Sequence, residues 1–246
     1  MLNSESMGLE FQEAARQLAE VGRDFHRRGW ALGTSGNFSA VIKREPLKIA
    51  ITASGLDKGA LSAEHILEVP VDDDALGAKH ILDAGPDGQS VQPVLTTQTA
   101  ASNTRVAIQR SLKPSSETII HLAVARATSA GSVLHTHSVW STLLSESFAP
   151  DAGLALEGYE MLKGLAGVTT HLHREWLPIL DNTQDWAAAA PGIESLLKKD
   201  PNLHGFLIRG HGLYTWGSNL IEARRHVEIL EFLLEVKGRL FCAGRT

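Results

Sequence analysis

Cysteine occurs once, at position 242, in a chain of 246 residues. A single thiol excludes an intramolecular disulfide and a cysteine-built zinc site, since each needs more than one sulfur. An excess of positive charge is also lacking: 23 Lys and Arg stand against 28 Asp and Glu, a net charge of -5. Composition therefore gives no reason to expect nucleic acid or an anionic membrane as a partner, and an anionic ligand would have to be held by local donors. No apolar run approaches the roughly 20 residues of a membrane span. The opening stretch "MLNSESMGLEFQEAARQLAEVGRDFHRRGW" has no apolar signal core, so a cytoplasmic protein is expected. Neither a phosphate-binding P-loop nor a dinucleotide-binding glycine fingerprint is present, and nothing repeats.

What remains is an ordinary globular composition, 43% hydrophobic and 21% charged. Its pattern alternates strands with helices. Phe11, Ala15, Leu18, Ala19, Val21 and Phe25 are spaced for an amphipathic helix from Leu9 to about Arg28. "TSGNFSAVI" and "KIAITASG" read as strands, and "SAEHILEV" as a short helix. After Pro114, a helix starts at "SSETIIHLAVARAT", with Ser115 or Ser116 as cap. The order then runs strand "SVLHTH", helix "SVWSTLLSE", helix "LEGYEMLKGLAG", strand "TTHLHREWLPIL", a helix broken by Pro191, strand "HGFLIRGHGLYTWG" and a helix capped by Asn219. This is an α/β fold: a single domain over residues 1–246, with a central mixed β-sheet covered by helices. Residues 72–113 show no sustained period and read as a loop or insertion.

Chemistry concentrates where "SVLHTHSVW" ends an apolar run. Side chains two apart on a strand leave the same face, so His135 and His137 point one way and can bind one metal ion. His211, in "IRGHGLYTWG", is the natural third ligand, among glycines that permit close backbone approach. Three imidazoles leave one position of a zinc ion open, the arrangement of catalytic sites. "HLH", His171 and His173, competes with the same spacing, although His173 inside a continuing strand suits solvent exposure. Gly36 and Asn37, Ser54 and Gly55, and Ser115 and Ser116 offer backbone N–H groups and hydroxyls for a phosphate; each segment could equally be a turn or cap. Glu117 and Glu160 are the candidate acid/bases, against the plainer readings of a helix N-terminal charge and an ion pair with Lys163.

Taken together, "TSGNFS", "ITASG", "KPSSETIIH", "VLHTHS", "LEGYEMLKGL" and "RGHGLYTWG" resemble the class II aldolase/adducin family, in order from about residue 10 to residue 237. The resemblance implies one Zn2+ per subunit on His135, His137 and His211, and a phosphate site at Gly36, Asn37, Ser54, Gly55, Ser115 and Ser116. It implies a sugar-phosphate substrate and a homotetramer with sites near subunit boundaries, where a neighbouring chain could supply Tyr214. In the family's aldolases the acid/base maps onto Glu117. In its dehydratase branch it maps onto Glu160, and the segment "LEGYEMLKGL" favours that branch. The implied reaction is dehydration of a ketose phosphate, 5-methylthioribulose 1-phosphate, in methionine salvage. A fuculose or rhamnulose phosphate type aldolase and a non-catalytic adducin-like interaction module are the alternatives.

Overall fold

The computed structural model describes residues 4–70 and 112–245, with no side-chain account of residues 4–9. The loop or insertion expected at 72–113 lies, but for its last two residues, outside the described residues. Along the chain come α1 (Ser4–Arg27), β1 (Asn37–Lys43), β2 (Lys48–Thr52), β3 (Ile66–Pro70), α2 (Thr118–Ala127), β4 (Ser132–Thr136), α3 (Val139–Ser147), β5 (Gly153–Glu157), β6 (Arg174–Leu180), α4 (Trp186–Lys199), β7 (Gly205–Ile208), β8 (Gly212–Gly217) and α5 (Leu220–Cys242).

The eight strands form one sheet in the order β3-β2-β1-β4-β8-β7-β6-β5. All neighbours are antiparallel except β6 and β7, which run parallel. Alternation divides the side chains between two faces. Phe38, Ala40 and Leu134 pack with Leu18 and Phe25 of α1 and Val227 of α5, while Leu207 and Leu213 meet Leu144 of α3 and Leu230 of α5. On the opposite face Val133, Phe206, Tyr214 and Trp216 meet Ile120 and Val124 of α2 and Trp186 and Ile193 of α4. The result is three layers, with α1, α3 and α5 on one side of the sheet and α2 and α4 on the other.

Several local expectations change. "HGFLIRGHGLYTWG" is two antiparallel strands, β7 and β8, joined by a turn over residues 209–211. β6 starts only at Arg174, so "TTHLH" lies outside it, and Glu117, not Ser115 or Ser116, is the N-cap of α2. "SAEHILEV" holds only a 3-10 turn, Ala63–His65, after which Ile66–Pro70 becomes β3. Pairing with β2 from Thr52↔Ile66 to Lys48↔Pro70 overrides the weak helical spacing. "LEGYEMLKGLAG" is likewise no α-helix. Its first residues end β5, Gly158 takes φ +82°, and Glu160–Gly164 form a 3-10 turn. Pro191 does not break α4, which runs through it from Trp186 to Lys199 while Ala190, Ile193 and Leu197 bury their face.

Candidate active site

Two neighbouring strand ends and one turn build the site. Within the antiparallel β4–β8 pair His135 faces Tyr214, and the turn between β7 and β8 carries His211 back over the end of β4. Gly212 makes this approach possible, since a Cβ there would lie 2.0 Å from the Thr136 carbonyl oxygen. His137 follows β4, just before Ser138 caps α3 by accepting from the Ser141 N–H.

The three imidazoles converge through one kind of atom. His135 Nε2 lies 2.7 Å from His137 Nε2 and 3.3 Å from His211 Nε2, and the last two are 3.1 Å apart. His135 Nδ1 donates to the Leu213 carbonyl at 2.9 Å, which leaves its Nε2 lone pair facing the other two rings. Burial pushes His135 well below its ordinary pKa and His137 down to about 4, so both present neutral, ligating nitrogens. Three tetrahedral ligands at about 2.0–2.1 Å from zinc would stand about 3.3 Å apart. The observed 2.7–3.3 Å is close to that, and the donor set fits a divalent ion.

Glu117 closes the site. Its Oε1 is 3.2 Å from His211 Nε2 and its Oε2 3.6 Å from His135 Nε2. Burial would raise this carboxyl, but the bond to His211, the nearby His135 and the Asn37 amide hold it below the usual carboxylate range. The Asn37 amide donates to Glu117 Oε2, while its carbonyl accepts from His121 Nε2. His121 Nδ1 in turn accepts from the Ser39 hydroxyl at 2.7 Å. Sequence reasoning left His121 without a role, because nothing in its spacing shows that α2 lays it, fully buried, across β1.

The six candidate phosphate residues lie on three segments held close by backbone contacts. Gly36 (φ +75°) turns the chain into β1 with its Cα against the His135 carbonyl, where a Cβ would come within 2.7 Å. Asn37 faces His135 across the β1–β4 pair. Ala53 bridges Pro114, and the Ser54 N–H donates to the Lys113 carbonyl at 2.8 Å, which sets Ser54 and Gly55 beside Ser115 and Ser116. Ser115 Oγ accepts from the Glu117 N–H at 3.2 Å, and no side-chain cap bond is made at the N-cap of α2.

Lys58 was not singled out from sequence. It is 1% exposed and donates to the carbonyls of Thr34 and Leu56 at 3.0 Å each, tying together the turns that hold Gly36 and Gly55. Burial lowers its amine to about 8, against the pull of Asp57 and Glu117.

Glu160 is placed differently. Its side chain is 68% exposed, paired with Lys163 and lying 3.2 Å from His171 Nδ1. Among the described residues no hydrogen bond or ion pair joins it to the three histidines. Tyr214 is fully buried between Phe206 and His135, stacked on the latter at 3.9 Å. It therefore belongs to its own chain's core and is not offered to a neighbour. His173 also departs from expectation: it precedes β6, is only 30% exposed and bonds Glu175 at 2.8 Å.

A mixed sheet with helices on both faces and a three-histidine, one-carboxylate site at the strand ends defines a class, and the comparisons agree with it. The "Class II Aldolase and Adducin N-terminal domain" profile matches residues 16–237, and the chain belongs to that family. It is 38% identical over 226 residues to the methylthioribulose-1-phosphate dehydratase of Sorangium cellulosum (strain So ce56), covering 92% of this chain and 91% of that one. With the enzyme of that name from Methylococcus capsulatus it shares 39% identity over 232 residues, 94% and 96% of the two chains. The crystal structure of l-fuculose-1-phosphate aldolase from Thermus Thermophilus superposes with a TM-score of 0.61 at 25% identity, covering 95% and 97%.

Proposed function

We propose that this chain is a hydro-lyase that dehydrates 5-methylthioribulose 1-phosphate to 2,3-diketo-5-methylthiopentyl 1-phosphate, a step of methionine salvage in the cytoplasm, as a zinc-dependent homotetramer. The observation that carries this reading is the convergence of His135, His137 and His211 beside Glu117. The names of the similar dehydratases support the substrate.

His135, His137 and His211 would hold the ion. Bound there, a zinc ion supplies Lewis-acid polarisation of the substrate carbonyl, which makes the carbon 3 proton removable near neutral pH. Gly36, Asn37, Ser54, Gly55, Ser115 and Ser116 hold the phosphate with backbone and hydroxyl donors. Buried Lys58 braces two of these turns from below and places a positive charge near them.

Proton transfer needs a carboxylate that can reach the substrate and is not committed to the metal site. Glu117 is tied to the Asn37 amide, and its oxygens face Nε2 of His211 and His135, the atoms assigned to the ion, so it serves the metal site rather than the substrate proton. We assign the transfer to Glu160, brought to the site from the surface of an adjoining protomer, where contact would strip water from its exposed carboxylate. It takes the carbon 3 proton and returns it to the carbon 4 hydroxyl, which leaves as water. The resulting enol relaxes to the 2,3-diketone.

The test is turnover of 5-methylthioribulose 1-phosphate before and after chelation. Turnover lost to the chelator and restored by added Zn2+ supports the reading, whereas turnover indifferent to chelation overturns it.

A further inference from the structure

A second cluster of ligating side chains stands apart from the first. Because β6 and β7 are parallel neighbours, their first residues share one end of the sheet. Glu175 is the second residue of β6, His173 immediately precedes that strand, and His204 immediately precedes β7. His211 follows β7, so the whole strand separates the two clusters, a span of about 13 Å or more at about 3.3 Å per residue.

Three side chains of metal-ligating type meet here around one carboxylate oxygen. His173 Nε2 lies 2.8 Å and His204 Nδ1 2.9 Å from the same oxygen, Glu175 Oε2. The ligand atoms of the three residues all fall within 4.8 Å of one another. Glu175 is 2% exposed, and its other oxygen accepts from the His204 backbone N–H at 3.3 Å, which fixes the carboxylate. His204 Nε2 meets the Ala166 carbonyl at 2.8 Å, the outward bond that sets Nδ1 of a ligating histidine toward an ion. His173, 30% exposed, leaves a path from solvent.

We propose that His173, Glu175 and His204 form a second divalent-metal site with a structural role. Two imidazoles and a carboxylate are a donor set suited to zinc, leaving one position for water. An ion there would draw the starts of β6 and β7 together. It would also fix Ala166, whose carbonyl meets His204 while its N–H donates to His226 Nε2 at 3.0 Å. Ala166 closes the segment that begins with the Glu160–Gly164 turn, so the ion would brace the backbone carrying Glu160.

The experiment is a count of bound zinc on tag-free, full-length protein loaded with Zn2+ and dialysed, by mass spectrometry under native conditions. The site predicts two ions per chain in the wild type, one in His173→Ala and none in the His173→Ala, His137→Ala double variant. Should His173→Ala fold poorly, His173→Gln keeps the side-chain bulk at this partly exposed position and is counted instead. A wild type holding one ion, lost with His137→Ala and untouched by the His173 variants, overturns the proposal. A wild-type ion removed by the His173 variants but retained by His137→Ala upholds this site and counts instead against metal binding at His135, His137 and His211.

Discussion

Asn37 stands opposite His135 in the β1–β4 ladder, and its side-chain amide donates to Glu117 while accepting from His121. One residue thus connects the histidine site to a buried chain that ends at the Ser39 hydroxyl. His121→Phe removes the link in the middle and leaves the buried Asn37 carbonyl without its partner, while Ser39 Oγ keeps only the Val133 carbonyl at 3.5 Å, at a cost of about 1–3 kcal/mol. The expected outcome is a lower melting temperature together with a loss of turnover of about 10-fold or more, measured by calorimetry and steady-state kinetics. A stable variant with wild-type turnover would show that the chain does not orient Glu117.

Gly212 tests the close approach of the two strand ends. Its Cα faces the Thr136 carbonyl so closely that Gly212→Ala would place a methyl 2.0 Å from that oxygen. Overpacking of this kind costs about 1–3 kcal/mol, and here the strain falls between two ligand-bearing segments. The variant should melt lower and bind zinc more weakly than wild type in a metal titration.

Glu231 gives a pH dependence with a definite sign. Burial raises its carboxyl to about 7, against hydrogen bonds from Ser138 and Thr136 and with Glu235 adding to the rise. Its Oε2 is buried without a partner among the described residues. In the unfolded chain the same group releases its proton near 4.5. Between these values the folded state binds more protons, so this contribution to stability is complete below about pH 4.5 and is lost as pH rises through about 7. Glu231→Gln, which mimics the neutral acid, should therefore raise the melting temperature relative to wild type at pH 8 more than at pH 4.5.

The two carboxylates separate by what each variant keeps. Glu160→Gln should retain metal and lose about 10²–10⁴-fold in kcat, the range of a positioned acid/base. Because Glu160 is assigned to a neighbour's site, mixing Glu160→Gln with His137→Ala protomers should restore part of the activity that each lacks alone. Near-normal turnover in Glu160→Gln, with a collapse in Glu117→Gln, would transfer the proton step to Glu117.

Much of the framework was legible because it depends on short-range pattern. The period of α1, the strand that carries His135 and stops one residue before His137, and Asn219 as the cap of α5 all follow from local spacing. What escaped depends on partners distant in sequence. β3 exists because β2 pairs with it, and the Glu160 segment turns because Gly158 adopts a left-handed conformation after β5. His121 and Lys58 gain meaning only once α2 and the Gly36 and Gly55 turns fold around them. His173 looked exposed within a strand, whereas the parallel β6–β7 pairing sets Glu175 and His204 against it.

The most direct test of the central claim is product identity. Zinc-loaded protein given 5-methylthioribulose 1-phosphate should yield a single product lighter by one water, with two adjacent ketone carbons at positions 2 and 3 by NMR and mass spectrometry. Two smaller carbonyl fragments would mean carbon–carbon cleavage by an aldolase and would contradict the account, as would unchanged substrate in the presence of bound zinc.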